Sequence, residues 1–229
     1  MIRIIAFQAM TLALVMLLAT GAYAKRYGSK ICDSPKYTCY TAKSGDSWEK
    51  LFPDESQRIT AMKINRTNVH LRKGITIAIP KSFGNNFMDH APFPRNGEVT
   101  GNRYIVVSLS KLAFGAYDES GRLQYWGPVS GGKSYCSDIR RGCRSPAGQF
   151  AIYRKGSGGC KSSKFPIGKG GAPMPYCMFF HGGYALHGSY DVPGYNASHG
   201  CVRMYPDDAK WLNKTFTKGY SKVSVVISR

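Results

Sequence analysis

Acidic residues are scarce in this sequence beside basic ones. Its 229 residues include 13 Asp and Glu against 32 Lys and Arg, a formal net charge of +19. Between Ile139 and Tyr190 there is no acidic residue, yet Arg140, Arg141, Arg144, Arg154, Lys155, Lys161, Lys164 and Lys169 all fall there. A surface of one sign concentrates anionic partners, or serves solubility alone. Other absences narrow the field. No Cys-x-x-Cys or His-x-x-x-His spacing is present, so the usual zinc clusters are excluded and no metal or cofactor is expected. No second long apolar run follows the first, which argues against an integral membrane anchor once that run is removed. There is no long-period repeat and no low-complexity tract.

The one apolar run opens the chain. Arg3 precedes Met10, Leu12, Leu14, Val15, Met16, Leu17 and Leu18, and the stretch closes on Ala22-Tyr23-Ala24, a small-x-small pattern. This reads as a signal peptide over 1–24, with an uncleaved anchor as the alternative. No cysteine stands at the cleavage point, which disfavours a lipid anchor. An exported chain of this charge meets wall polymers such as peptidoglycan, with its free carboxylates, rather than nucleic acid; the periplasm is the expected compartment.

Seven cysteines in an exported chain suggest disulfides with one thiol left over. Cys32 with Cys39, Cys136 with Cys143, and Cys160 with Cys177 are close in sequence, which leaves Cys201 single; spacing alone does not fix the pairing.

Residues 25–39 read as a short basic arm. Residues 40–80 read as a unit of strand, helix, helix, strand: Tyr40 to Lys43, a helix capped by Ser47 with Trp48, Leu51 and Phe52, a second through Ile59, Met62, Lys63 and Ile64, and a strand Ile75 to Ile79. Tyr40-Thr41-x-Lys43-x-Gly45-Asp46-Ser47, Asn65 and Leu71-Arg72-Lys73-Gly74-x-x-x-x-Ile79-Pro80 resemble a LysM module. That resemblance implies binding of N-acetylglucosamine glycan; the Phe52-Pro53-Asp54-Glu55 insert departs from the pattern. Residues 81–101, rich in Gly, Asn and Pro, read as a linker or a wrap-around loop.

From 102 to 229 the pattern is mainly β. Strands are expected at Tyr104–Leu109, Leu112–Tyr117, Leu123–Val129, Gln149–Tyr153, Cys177–Phe180, Tyr184–His187 and Lys222–Ser228, with one helix at Pro206–Thr217. That composition of elements predicts a β-sandwich or barrel-like domain with one or two helices.

Cys201 sits in Ser198-His199-Gly200-Cys201-Val202-Arg203, and Tyr184-Ala185-Leu186-His187-Gly188-Ser189 precedes it. A thiolate attacks where a thiol does not, and a neighbouring imidazole can take the proton and stabilise a thiolate–imidazolium pair. Gly200 permits close backbone approach, and the N–H groups of His199, Gly200 and Cys201 are candidates for an oxyanion hole. Cys201 in a structural disulfide, or in a zinc site with His187 and His199, is the competing reading; the zinc site lacks a fourth ligand.

His-Gly, a loop, then Ser-His-Gly-Cys-x-Arg resembles the signature of the YkuD-type L,D-transpeptidase domain. Val129-Ser130-Gly131-Gly132, Ser145-Pro146-Ala147-Gly148-Gln149-Phe150 and Pro173-Met174-Pro175-Tyr176 with Phe180 resemble segments of the same family. The resemblance implies Cys201 as nucleophile, His187 as general base and the Gly188 carbonyl as its orienting group, with Asp191 a further candidate. It implies that Ser198, His199 and Gly200 shape the pocket, and that Arg203, Tyr176, Met174 and Phe180 bind substrate. The implied substrate is the diaminopimelate-containing tetrapeptide stem of peptidoglycan, acylated with loss of D-Ala and transferred to form a 3-3 cross-link. Transfer to water (L,D-carboxypeptidase) or to a protein lysine shares the first half-reaction. A catalytically inert wall-binding protein is the alternative of a different class.

Overall fold

The computed structural model describes residues 25–229; the expected signal peptide lies outside the described residues. Among the described residues no helix is long and apolar enough to cross a membrane.

The N-terminal arm is more ordered than its basic composition suggests. It forms a short helix, α1 (Tyr27–Ile31), and enters strand β1 (Tyr37–Thr41) earlier than expected. The Cys32–Cys39 disulfide ties the two together, and Gly28 is buried where a Cβ would collide with Asn65. β1 pairs antiparallel with β2 (Thr76–Pro80). Between them lie α2 (Trp48–Leu51) and α3 (Glu55–Ile64). Ser47 Oγ accepts from the Lys50 N–H and Asp54 Oδ1 from the Gln57 N–H, so each helix has a side-chain cap at its start. The Pro53-Asp54 break is therefore the stop of α2 and the cap of α3. Trp48, Phe52, Ala61, Leu71 and Ile77 form the small core of this unit. Asn65, 1% exposed, pins the end of α3 to β2: its amide donates to the Ala61 and Ala78 carbonyls, and its oxygen accepts from the Ala78 N–H.

Residues 81–101 wrap rather than link. A 3-10 turn at Phe87–His90 sets the Phe87 ring 5.2 Å from Tyr125, and Trp126 Nε1 donates to the Phe87 carbonyl at 2.9 Å. Met88, Ala91 and Phe93 cover Tyr104, Tyr117 and Leu123.

The rest of the chain builds one nine-stranded sheet. Its strands are β3 (Tyr104–Ser108), β4 (Ala113–Tyr117), β5 (Leu123–Ser130), β6 (Gly148–Ala151), β7 (Arg154–Lys155), β8 (Met178–His181), β9 (Tyr184–Gly188), β10 (Val202–Met204) and β11 (Ser224–Ser228). They lie in the order β6-β11-β3-β4-β5-β10-β9-β8-β7. Phe150 of β6 packs on Phe180 of β8 with ring centroids 5.4 Å apart, although six strands separate them in that order. The sheet must therefore curl until its ends approach, a half-barrel around one core, as the mainly β expectation required. Ile105, Val107, Phe114, Val129, Leu186, Val202, Met204 and Val225 line that core.

Helix α4 (Pro206–Trp211) covers the core through Ala209 and continues as a π-helical turn, Leu212–Phe216. Pro206 begins the helix and Asp207 and Asp208 occupy its first turn. Asp208 is 2% exposed and meets Lys63 of α3 at 2.8 Å. The Lys63 ammonium also donates to the Tyr125 hydroxyl at 3.2 Å and the Trp126 carbonyl at 3.3 Å. This buried cation joins the N-terminal unit to the sheet.

Candidate active site

β9 and β10 place the two motif segments side by side. They run parallel, with Val202 opposite Leu186 and Arg203 opposite His187. Leu186 and Val202 are fully buried in the core. Side chains alternate along a strand, so Ala185 and His187 share the other face with Arg203, and Cys201, just before β10, comes in beside Ala185 on that face. β10 was not anticipated because it has three residues; the apolar–Arg–apolar alternation of Val202, Arg203 and Met204 was its only signal.

A lattice of short bonds fixes the loop before Cys201. The Ser198 hydroxyl donates to the Cys201 carbonyl and accepts from the Gly200 N–H at 3.0 Å. The Ser198 N–H donates to the Gly131 carbonyl at 2.9 Å, and the Lys133 N–H to the Ser198 carbonyl at 3.0 Å. Ser145, 1% exposed, donates through Oγ to the Gly200 carbonyl at 2.7 Å and accepts from the Gly132 N–H at 2.9 Å. Sequence reasoning quoted Ser145 as part of a motif but gave it no role. Gly200 has φ +119°, and a Cβ there would stand 2.5 Å from the Tyr184 ring, so only glycine fits. The Gly200 N–H, expected to face an oxyanion, is thus already engaged by Ser198; the His199 and Cys201 N–H groups remain the candidates.

His187 is 5% exposed, and its Nδ1 lies 2.9 Å from the Gly188 carbonyl oxygen. A carbonyl only accepts, so Nδ1 carries the proton and Nε2 is left with its lone pair. Burial pushes the His187 imidazole down to about 4; the Gly188 bond opposes that shift and the Arg203 charge adds to it. Burial pushes the Cys201 thiol up, against the opposing Ala185 N–H and Arg203 charge. At neutral pH the resting pair is therefore neutral thiol and neutral imidazole, not the thiolate–imidazolium form. Among the described residues the hydrogen-bond partner of Cys201 Sγ is the Gly183 carbonyl at 3.9 Å, not His187.

The other expected residues divide. Met174, 6% exposed, forms an apolar patch with Cys177, Phe179 and Ala185, and Cys201 packs on it. Phe180 does not reach the site. It is buried in the main core on the opposite face, and its neighbour Phe179, paired with Ala185, faces Cys201. The expectation for Phe180 is corrected by one step of strand alternation. Tyr176 takes φ +57° and packs partly on the core, its carbonyl accepting from Asn213. Arg203 reaches Asp191, with Nη1 2.5 Å from Oδ2 and 3.2 Å from the backbone carbonyl. Asp191 thus engages Arg203 rather than His187. The His199 ring turns outward to Asp138, 2.8 Å from Nε2, and lies tilted against Phe165 with ring centroids 4.7 Å apart.

Three disulfides, Cys32–Cys39, Cys136–Cys143 and Cys160–Cys177, leave Cys201 as the free cysteine among the described residues. Disulfides are consistent with an exported protein. An open cleft of about 810 Å³, with Lys133, Arg144, Tyr135 and Asn196 on its walls, is lined by neither Cys201 nor His187.

Comparison with known proteins identifies the family of this domain. Residues 102–227 match the YkuD family, the L,D-transpeptidase catalytic domain. No curated protein matches the chain. Among solved structures, an L,D-transpeptidase from Xylanimonas cellulosilytica is 25% identical, with a TM-score of 0.54 over 76% of this chain and 79% of that one. An L,D-transpeptidase from Stackebrandtia nassauensis is 22% identical (TM-score 0.47, 61% of each chain), and one from Enterococcus faecium 24% identical (TM-score 0.45, 56% of this chain and 50% of that). With more than half of its length matching that domain, the chain belongs to the YkuD family of L,D-transpeptidases.

Proposed function

We propose that the protein is a cysteine-dependent acyltransferase that cross-links peptidoglycan stems through a thioester on Cys201. The observation that carries this reading is the His187 Nδ1 bond to the Gly188 carbonyl, on the strand face that Cys201 shares. It leaves Nε2 unprotonated and aimed from a buried, rigid strand. His187 takes the thiol proton as sulfur attacks the carbonyl joining diaminopimelate to the terminal D-Ala. Because both groups rest neutral, proton transfer accompanies attack instead of preceding it. The His199 and Cys201 N–H groups stabilise the tetrahedral oxyanion. His187 returns the proton to the leaving amine and D-Ala departs; a stem amine on a second strand then attacks the thioester, the C–S bond breaks, and the amine's proton passes through His187 back to the released Cys201 sulfur.

The free N–H groups of the Arg203 fork bind the donor's terminal carboxylate while Asp191 holds one arm. The strand–helix–helix–strand order of 37–80 supports a LysM-like unit that contacts N-acetylglucosamine glycan, and the basic surface supports attraction to anionic stems in the periplasm. The test is incubation of mature protein with diaminopimelate tetrapeptide. Released D-Ala with a 3-3 linked dimer supports the reading. D-Ala released without dimer points to L,D-carboxypeptidase activity, and no release with reduced Cys201 contradicts acylation.

A further inference from the structure

The segment between His187 and the Ser198–Cys201 loop is gripped by the N-terminal unit, at a residue that lies outside the His187 and Cys201 motifs. Asn68 follows α3 and brackets residues 189–192. Its side-chain amide donates to the Ser189 carbonyl at 2.8 Å, its side-chain oxygen accepts from the Val192 N–H at 2.9 Å, and its backbone N–H donates to the Val192 carbonyl at 3.1 Å. Between those points sits Asp191, whose own N–H donates to Ser189 Oγ at 3.0 Å and whose carboxylate holds Arg203. Three further contacts extend the grip: Arg26 Nη1 donates to the Pro193 carbonyl at 2.5 Å, the Tyr27 N–H to the Gly194 carbonyl at 2.8 Å, and Thr67 bridges Pro193.

The platform behind Asn68 is fixed. Lys63 is buried against Asp208. Arg66, 3% exposed, donates to the Lys111 carbonyl at 3.0 Å and lies 4.8 Å from the Trp126 ring. A position set on such a platform is transmitted through packed, hydrogen-bonded contacts and not lost in a hinge. The guanidinium at the far end of this chain of contacts influences both reacting groups, since its charge acts on His187 and on Cys201.

We infer that Asn68 is a positioning residue for the Arg203 carboxylate clamp, so that the N-terminal unit completes the donor site of the catalytic domain. Asp191, an exposed acid on a short loop, would otherwise hold Arg203 loosely, because exposed ion pairs are weak unless their partners are fixed. With Asn68 closing both ends of the 189–192 turn, one arm of Arg203 is locked and the rest of its fork is presented to the donor. This inference rests on the proposed cysteine acylation for its kinetic readout, but not for its binding readout.

The experiment uses the full mature chain and four proteins: wild type, Asn68→Ala, Arg203→Ala and the double variant. The donors are the diaminopimelate tetrapeptide and its C-terminal amide. Asn68→Ala raises the half-saturating concentration of the carboxylate donor roughly fivefold, the loss expected for about one kilocalorie of hydrogen bonding, and changes the maximal acylation rate less than about twofold. The effect disappears with the amide donor and in the Arg203→Ala background. Equal losses with both donors, additivity with Arg203→Ala, or no change overturns the inference. Asn68→Asp keeps the acceptor for the Val192 N–H but sets a second acceptor against the Ser189 carbonyl, so it raises half-saturation with the carboxylate donor at least as much as Asn68→Ala, and it replaces Asn68→Ala if that variant does not fold. Donor affinity on the Cys201→Ala background, by calorimetry, reads the same difference without chemistry. If wild type is not acylated, the proposed reaction fails, and this affinity comparison alone decides the role of Asn68.

Discussion

His187 donates its Nδ1 proton to the carbonyl of Gly188, the very next residue, at 2.9 Å. A backbone oxygen thus does the orienting that a carboxylate performs in many nucleophile–histidine pairs. Gly188 suits this because its neighbours are close: a Cβ would stand 3.0 Å from Pro175 Cγ and from the Pro206 backbone. A side chain at 188 would press on both neighbours, which would have to give way beside the strand end that carries the carbonyl.

From this follows a prediction for Asp191, the nearest acid in sequence. Asp191→Asn leaves the maximal acylation rate within roughly threefold of wild type, against a loss of about 10⁴ where a carboxylate orients the base. Its effect falls on donor concentration dependence, through Arg203. His187→Gln lowers the rate by about 10² to 10⁴. Stopped-flow acylation measures both.

The neutral resting pair predicts slow chemistry at Cys201 with simple reagents. Burial raises the thiol, so iodoacetamide at pH 7 alkylates Cys201 more slowly than a free cysteine in solution, and the rate climbs with pH into the alkaline range. A thiolate–imidazolium pair would instead give fast, pH-flat alkylation near neutrality. Alkylation followed by peptide mass mapping from pH 6 to 10 distinguishes the two.

Stability carries the signature of His187. Its folded value, about 4, lies below the unfolded one, so the unfolded chain binds the extra proton in between. Stability is full above the unfolded value of about 6.5 and falls as pH drops towards 4, by roughly 2–3 kcal/mol from this group. Denaturant unfolding at a series of pH values shows a steeper fall in wild type than in His187→Gln over that window.

The Ser198 and Ser145 hydroxyls hold the Cys201 loop without touching the thiol. Ser145→Ala lowers the maximal acylation rate by about tenfold to a hundredfold, as expected of a small displacement of an attacking group, while half-saturation changes little. A thermal melt within a few degrees of wild type excludes global unfolding as the cause.

The buried Lys63–Asp208 pair makes a separate prediction about architecture. Lys63→Met strands a buried carboxylate, one oxygen of which already lacks a partner, and destabilises the protein by about 3–5 kcal/mol. Adding Asp208→Asn recovers much of that loss. Chemical unfolding of the single and double variants checks the coupling.

What the sequence revealed follows the reach of each signal. The three local disulfides were readable because their partners lie close along the chain, and the dense motif around His187 and Cys201 marked two segments that the fold sets side by side. Strands such as Tyr104–Ser108 were readable from β-branched runs. Phe180 was misplaced because Cys177, Met178, Phe179 and Phe180 are all buried, so no alternation marks which face meets Cys201. The ordered arm and the wrapped 81–101 segment owe their structure to contacts with distant residues, Gly28 with Asn65 and Phe87 with Trp126, for which local composition holds no signal. Asn68 was missed for the same reason: its partners Ser189 and Val192 lie more than a hundred residues away.

The central claim is that Cys201 becomes acylated, and intact-protein mass spectrometry after incubation with a diaminopimelate tetrapeptide tests it most directly. The predicted result is a mass increase equal to the donor less D-Ala, mapped to Cys201, sensitive to hydroxylamine and absent in Cys201→Ala. An unmodified wild-type protein, with Cys201 reduced and the fold intact, contradicts it.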